Sequence, residues 1–483
     1  MRKNNGVLSN FSWKFAERIT AQLITLVVSI VLARLLEPKD YGIIAIVNIF
    51  ITFLNVFVSD GLGSALIQKK NADKLDFSSV FWFNIIFSII LYALLFVLAP
   101  YFVLFYDKQY DILVPVLRIL GIRLIFSAIN SVQHAYVAKK MIFYKFFWST
   151  LFGTIFSAIV GIWMAYHGYG VWALVYQYLT NVTIDTVFLG VSLRKMPIMK
   201  ISLSRLKILL RFGIPILGVG LLITSYQEIR AMIIGKLYSS ADLAYYEKGK
   251  QVPSLVVNNI NTSIGAVLFS KLSFEQKNKD KLKNITRTSI KFGLFLLCPV
   301  MLGLAAIAKP FVVLVLTEKW VPCVPLLQLF CIIYLFIPIH TANMQAIKAM
   351  GKSSTVFYLE VIKKIIELVL LIFTMKISVN AIVVGLVLMT IGFTFFNGYP
   401  NIKLLNYTFK EQINDISVPL LMSLIMFVIV VALGRLDINI KLLLPLQILT
   451  GVFIYILICI VTKNREFKFI VQCLKNNYKN KFI

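Results

Sequence analysis

The residues of this sequence with the greatest capacity for chemistry are charges and amides set inside apolar runs. Arg118 and Arg123 lie in the stretch 112–137, which carries no carboxylate of its own. Arg123 is roughly 16 Å along it at 1.5 Å per helical residue, too deep for easy access to a membrane surface. A cation at a bilayer centre costs about 2.5–3.5 kcal/mol on insertion scales. An uncompensated guanidinium facing water is a place for an anion, and its planar fork of donors matches phosphate oxygens. Arg18 and Arg230 are shallower and have acidic neighbours, Glu17 and Glu228. Snorkelling or ion pairing accounts for these two as well as ligand binding does.

Amide and hydroxyl side chains recur at helical spacing on one face of several stretches. The lines are Arg18, Gln22, Thr25, Ser29; Asn48, Thr52, Asn55, Ser59; Arg123, Ser127, Asn130, His134; Gln177, Asn181, Asp185; and Gln251, Ser254, Asn258, Asn261, Gly265. Any single line is explained by hydrogen bonds between membrane helices. Five together fit better with helices around one wet cavity. The expected substrate-binding set is Arg123, Arg118, Arg18, Arg230, Asn55, Asn130, Gln177 and Asn258. Asp185, Glu228 and Asp60 are candidates for a coupling proton or sodium ion, as intramembrane carboxylates are in transporters. Asp60 precedes Gly61-Leu62-Gly63, where a capping or turn role competes. Glu360, Lys363, Lys364 and Glu367 stand three and four apart and can neutralise one another, which favours a structural or cytoplasm-facing role. His134 and His340 lack a ligand motif, and the five cysteines show no C-x-x-C spacing, so neither a metal site nor a disulfide framework is expected. No nucleotide-binding motif occurs, and no cofactor is implied.

The elements that must hold these groups follow from composition. Of 483 residues 59% are apolar and 14% charged, too few polar groups to cover water-facing globules. Apolar stretches near the ~20-residue length of a membrane helix recur from end to end. The reading is an all-α polytopic membrane protein with about 14 transmembrane helices: 12–35, 41–66, 78–104, 112–137, 146–166, 170–192, 208–234, 246–270, 287–308, 322–347, 354–375, 380–398, 416–434 and 442–462. The first is too long for a cleavable signal peptide and lacks a small-residue cleavage site. The net charge of +28 does not point to nucleic acid, because Lys and Arg gather in alternate loops as cytoplasmic loops require. That alternation places both termini in the cytoplasm of a multi-pass protein.

A shift of 202 residues lays Arg34-Leu35 on Lys236-Leu237, Asp40 on Asp242, Gly63 on Gly265 and Lys69 on Lys271. A shift of 210 lays Val114-Pro115 on Val324-Pro325 and Phe126 on Phe336. Six helices separate the copies, so they share one orientation, as in transporters built from parallel repeats. The expected organisation is a six-helix lobe over 1–197, a second over 198–400, an additional helix pair over 401–463 and a basic cytoplasmic tail over 464–483.

Three runs carry a family resemblance. Ala33-Arg34-Leu35-Leu36-Glu37-Pro38-Lys39-Asp40-Tyr41-Gly42 resembles the first outer loop of polysaccharide exporters in the multidrug/oligosaccharidyl-lipid/polysaccharide superfamily. Asp60-Gly61-Leu62-Gly63-Ser64-Ala65-Leu66-Ile67-Gln68 resembles the end of their second helix. Gly168-Tyr169-Gly170-Val171-Trp172-Ala173-Leu174-Val175-Tyr176-Gln177 resembles their turn between the fifth and sixth helices. Together these are most similar to the Wzx-like lipopolysaccharide and exopolysaccharide flippases of the polysaccharide transporter family. The resemblance implies transport of an undecaprenyl-diphosphate-linked glycan from the inner to the outer leaflet of a bacterial plasma membrane. It further implies two lobes that open alternately, and as partners the phospholipid bilayer, a polysaccharide polymerase and glycosyltransferases. A cation-coupled multidrug antiporter of the same superfamily would prefer an acidic, aromatic cavity, against which the two arginines of 112–137 speak. A membrane glycan ligase or polymerase would need a sizeable external loop with catalytic acids. The longest expected here, about 309–321, has little beyond Glu318 and Lys319.

Overall fold

The computed structural model describes residues 2–106, 111–193, 200–275, 278–469 and 471–472, and all regular structure among them is helical. In chain order the helices are α1 (Arg2–Leu35), α2 (Pro38–Ser59), α3 (Leu62–Gln68), α4 (Lys74–Phe105), α5 (Leu113–Gly121), α6 (Arg123–Lys140), α7 (Tyr144–Tyr166), α8 (Val171–Leu193) and α9 (Leu203–Leu237). There follow α10 (Ser240–Phe274), α11 (Lys279–Ala306), α12 (Ala308–Val315), a 3-10 turn (Glu318–Cys323), α13 (Val324–Leu335), α14 (Ile337–Ala349), α15 (Ser353–Thr374), α16 (Val379–Leu405), α17 (Phe409–Leu433) and α18 (Ile440–Val461). Each of the fourteen apolar stretches lies on helix. Among the described residues, 10 helices or jointed helix runs are long and apolar enough to cross a membrane. α1, α8, α10 and α15 fall short of that measure. Three of these are diluted by charges or amides: Gln177, Asn181 and Asp185 in α8, Lys248 and Lys250 in α10, and Glu360 to Glu367 in α15. Large apolar side chains are exposed along the helices, Leu222, Phe373 and Val461 among them, as lipid contact requires.

The chain divides into two compact units, Met1–Ala244 and Tyr245–Ile483. In the first, α9 lies along α2, and glycines permit the approach. A Cβ on Gly61 would fall 2.6 Å from the carbonyl oxygen of Gly213 in α9, and one on Gly42 1.7 Å from that of Ser240, where α10 starts just beyond α9. Gly61 also has φ +84°, a conformation that costs other residues of order 1–3 kcal/mol. It separates α2 from α3. Gly42→Ala and Gly61→Ala are therefore expected to lower the thermal unfolding midpoint of the purified protein. Gly218→Ala, whose new methyl would meet nothing within 4 Å, is expected to leave it unchanged.

At one end of this unit charges pin the connections. Lys69 Nζ lies 2.7 Å from Oδ1 of the fully buried Asp76, and Arg205 of α9 reaches Asp73 and Asp76. The Arg205 guanidinium holds the Asp73 carboxyl well below the usual range, at about 2. Lys139 donates to the carbonyls of Ile67 and Lys69 at the end of α3. The connection before α9 is tied to the start of α4, with Ser78 Oγ donating to Lys200 O and Ser202 N–H donating to Ser79 Oγ, both at 2.9 Å.

The positions matched by the sequence shifts have similar local surroundings. Before α2, Asp40 Oδ2 accepts from the Glu37 N–H at 3.3 Å. Before α10, 202 residues on, Asp242 Oδ2 accepts from the Ser239 N–H at 3.1 Å. Each is half of a helix N-cap box. Gly63 faces Ser131 Oγ at 3.6 Å from its Cβ position, and Gly265 faces Thr341 Cγ2 at 3.4 Å, a pairing related by the two shifts of 202 and 210.

In the second unit α11 is joined to α17 by a charge network. Arg287 grips Asp415 with two hydrogen bonds, Nε–Oδ2 at 2.7 Å and Nη2–Oδ1 at 3.0 Å. Lys291 adds an ion pair to Asp415 at 3.0 Å, and Tyr407 donates to the same carboxylate at 2.9 Å. α18 joins through Tyr455, which donates to Phe295 O at 2.9 Å, and Gln447, which donates to Val430 O at 2.9 Å. On α15 the pairs offered by the spacing form, Lys363–Glu360 at 2.6 Å and Lys364–Glu367 at 3.6 Å. Lys363 is buried rather than exposed. Cys298, Cys323, Cys331 and Cys459 are buried free thiols; Cys473 lies outside the described residues.

Candidate functional site

Arg123 owes its position to a break. α5 ends at Gly121, where an added Cβ would fall 2.6 Å from Leu95 Cδ2 of α4, and α6 restarts with Arg123 as its first residue. A cation there opposes the helix dipole, so another group must make the position tolerable. That group is aromatic: the guanidinium carbon lies 5.6 Å from the centroid of the Tyr178 ring on α8, within the range of a cation–π contact. Asn48 of α2 lies by the Tyr178 phenol. Tyr41 stands nearby, its hydroxyl donating to Ser29 O of α1 at 3.4 Å. Among the described residues no carboxylate forms an ion pair with Arg123. An aromatic face stabilises a cation without occupying its N–H donors, which leaves charge and fork available to an oxyanion. Two turns along the same face of α2, Asn55 keeps a buried Oδ1 with no hydrogen-bond partner.

A second constellation lies nearer the other end of α6. Asp185 of α8 is buried, and Asn130 Nδ2 donates to its Oδ2 at 2.5 Å. His134 Nε2 is 3.6 Å from the same oxygen, and Ser149 of α7 faces the carboxylate. Gly153 gives α8 room to approach, its Cβ position being 3.0 Å from Asn181 O. The other carboxylate oxygen, Oδ1, is buried without a partner, as are Asn130 Oδ1 and Gln133 Oε1.

These sites can be set beside known proteins. The pattern of the polysaccharide biosynthesis protein family matches residues 31–325. The chain belongs to that family. Among its relatives, the lipopolysaccharide biosynthesis protein WzxC of Escherichia coli (strain K12) is 22% identical over 449 residues, 88% of this chain and 87% of that one. The succinoglycan biosynthesis transport protein ExoT of Rhizobium meliloti (strain 1021) is 22% identical over 361 residues, covering 74% and 72%. The teichuronic acid biosynthesis protein TuaB of Bacillus subtilis (strain 168) is 23% identical over 363 residues, 73% of each. Among solved structures, the lipid II flippase MurJ in an inward closed conformation is similar in fold, with TM-score 0.74 at 17% identity over 94% of this chain and 99% of that one. An inward-facing multidrug transporter of the MATE family has TM-score 0.61 at 14% identity, covering 80% and 96%. The fold is thus of the MurJ and MATE type, in a family of polysaccharide biosynthesis transporters that span membranes.

Two of the runs that carry the family resemblance meet in space. Asp40, from the first, lies by Gly170 and the Val171 backbone, from the third. Gly170 has φ +52°, the left-handed turn that starts α8. This corner holds α2 against α8, the two helices that bring Asn48 and Tyr178 to Arg123. Neither Tyr178 nor Asn48 was in the expected binding set; Tyr178 gives no signal beyond following Gln177, since a buried tyrosine in an apolar helix is ordinary.

The structure does not gather the remaining candidates around Arg123. Arg118 turns to α4, donating from Nε to Phe96 O at 3.2 Å with its guanidinium 4.1 Å from the Phe96 ring. Gln177 packs its stem over Gly161 of α7. Arg230 donates to the Tyr226 hydroxyl at 2.7 Å on its own helix, and Glu228 lies on that helix. Asp60 caps α2, accepts from Ser59 Oγ at 3.0 Å and lies against Gly220 of α9. Asn258 is exposed on α10. The side chain of Arg18 lies outside the described residues.

Proposed function

We propose that this protein is a flippase that moves a polyprenyl-diphosphate-linked oligosaccharide across a bacterial inner membrane for surface polysaccharide synthesis. In this reading all fourteen helices cross the bilayer, both termini are cytoplasmic, and two six-helix repeats give alternating access to a cationic cavity. The observation that supports it best is Arg123, half-buried in an apolar bundle on an aromatic support, with its donors free of carboxylates among the described residues. A diphosphate is the lipid-linked group that such a guanidinium recognises. Asn48, Asn55 and the further amides would meet sugars, and the polyprenyl tail would stay in lipid. Polymerase and glycosyltransferases of the same pathway would supply and consume the cargo. Coupling is assigned to Asp185, the candidate acid with an unpartnered buried oxygen; Asp60 has a capping role and Glu228 stays a secondary candidate.

The test is reconstitution in liposomes with a fluorescent polyprenyl-diphosphate disaccharide, read by quenching the probe in the outer leaflet. Protein-dependent movement of the probe is expected. No movement, together with resistance of expressing cells to cationic drugs, would replace this reading by that of a multidrug antiporter.

A further inference from the structure

Asp185, Asn130, His134 and Ser149 form a polar node between α6, α7 and α8. We propose that His134 is a proton port, passing protons between water and Asp185, and that the ion coupled to transport is H⁺. This rests on the reading of the chain as a transporter.

Two independent features of the node point this way. Asp185 is a buried carboxylate whose Oδ1 has no partner. A buried anion with an unsatisfied oxygen is costly, and a bound proton removes the charge. His134 supplies the access. Its side chain is 47% exposed where that of Asp185 is 13% exposed, and its Nε2 lies 3.6 Å from Oδ2. One edge-on contact with Phe146 of α7, at 4.6 Å between centroids, holds the ring. The imidazole therefore touches open space on one side and the buried acid on the other. Imidazole is the side chain that changes charge between pH 5 and 8.

The other charged groups nearby are committed elsewhere. Lys145 of α7 donates to Ser192 O at 2.5 Å. Lys139 of α6 is on the end of α3. Asp60, at the end of α2, faces Gly220 of α9. Arg118 of α5 is on Phe96, and Arg123 is on Tyr178. His134 is thus the titratable partner left to Asp185. His134 and Asp185 lie six and eight residues before the helix ends Lys140 and Leu193, or about 9 and 12 Å at 1.5 Å per residue. That places the port toward the lysine-bearing end of α6.

The step is simple to balance. A proton from water binds the free nitrogen of the imidazole. The N–H on Nε2 breaks as an O–H forms on Asp185 Oδ2, leaving a neutral acid and a neutral imidazole. Asn130 keeps its hydrogen bond as donor and so holds the carboxyl in place through the cycle. Asn130 presents an N–H to Oδ2, and a protonated His134 would present another, which suits a proton and repels a metal cation. Sodium remains a distinguishable outcome, because Asn130 Oδ1 and Gln133 Oε1 are also unpartnered.

The test uses the full chain in liposomes, with a fluorescent polyprenyl-diphosphate disaccharide and an imposed pH gradient in sodium-free buffer. Gradient-driven movement should fall about ten-fold in His134→Gln, and gradient-independent exchange of the probe should be unchanged. Imidazole added to His134→Ala should restore the driven rate, whereas Asp185→Asn should lose it beyond rescue. A wild-type rate and pH profile in His134→Gln, or movement driven in the wild type by a sodium gradient alone, would overturn the proposal. Infrared titration of the protein without any cargo reads the same proton directly. A carboxylic-acid band absent in Asp185→Asn and slowed in appearance by His134→Gln supports the port even if the probe never moves. In that case the transport reading fails and the proton site stands.

Discussion

Arg123→Ala is expected to abolish surface polysaccharide export in a strain that depends on this protein, while the protein still accumulates in the membrane. The two halves of that outcome have different causes. Folding survives because no carboxylate among the described residues pairs with Arg123, so no buried partner is stranded when it goes. The change even removes an uncompensated cation from an apolar bundle. Function is lost because a hydrogen bond to a charged group is worth about 1.5–3 kcal/mol, and a guanidinium offers a diphosphate more than one. Each 1.4 kcal/mol is about ten-fold in binding, so a two-bond grip removes roughly two to four orders of magnitude. Arg123→Lys keeps the charge but loses the planar fork, and should retain weak export. Normal export by the alanine variant at normal abundance would remove Arg123 from the mechanism.

A second substitution should act on stability. Arg287→Ala breaks the bidentate grip that joins α11 to α17 and leaves Asp415, whose side chain is 2% exposed, without its main counter-ion. Breaking a buried ion pair costs about 3–5 kcal/mol. Here the low end is expected, because Lys291 and Tyr407 still reach the carboxylate. Asp415→Asn should cost less: the cations it releases, Arg287 and Lys291, are 29% and 37% exposed and can turn to water. Thermal unfolding of the purified variants checks the order. An equal or reversed ranking would show that the network does not hold the last helix pair in place.

The arginine site was only partly legible in sequence. The line Arg123, Ser127, Asn130, His134 marked one face of α6 as polar, and the absence of an acid in 112–137 marked Arg123 as unpaired. Arg118, five residues earlier, shared those credentials and went elsewhere. Five residues turn a helix through about 140° beyond a full turn, so the two guanidinia leave α5 and α6 on different sides. Which ring each of them meets, and whether a backbone carbonyl takes a donor as Phe96 O does from Arg118, is a property of α4 and α8, and no local pattern encodes it. Tyr178 was missed for the same reason. The acid site was clearer, since Asn130 and Asp185 were both singled out, yet their pairing required α6 and α8 to be neighbours.

By itself the sequence determined that the chain is helical and lives in a membrane, because apolar length and polar spacing act through the backbone period and need no partner. Its internal shifts also matched positions with like local roles, the N-cap carboxylates Asp40 and Asp242 and the helix-contact glycines Gly63 and Gly265. Only the tertiary structure decided which polar side chains would share a site. In an apolar bundle each polar group must find a partner or a cavity. The choice between glue and function then depends on which helix stands opposite, as it does for Gln177 on Gly161, Asp60 on Gly220 and Arg123 on Tyr178.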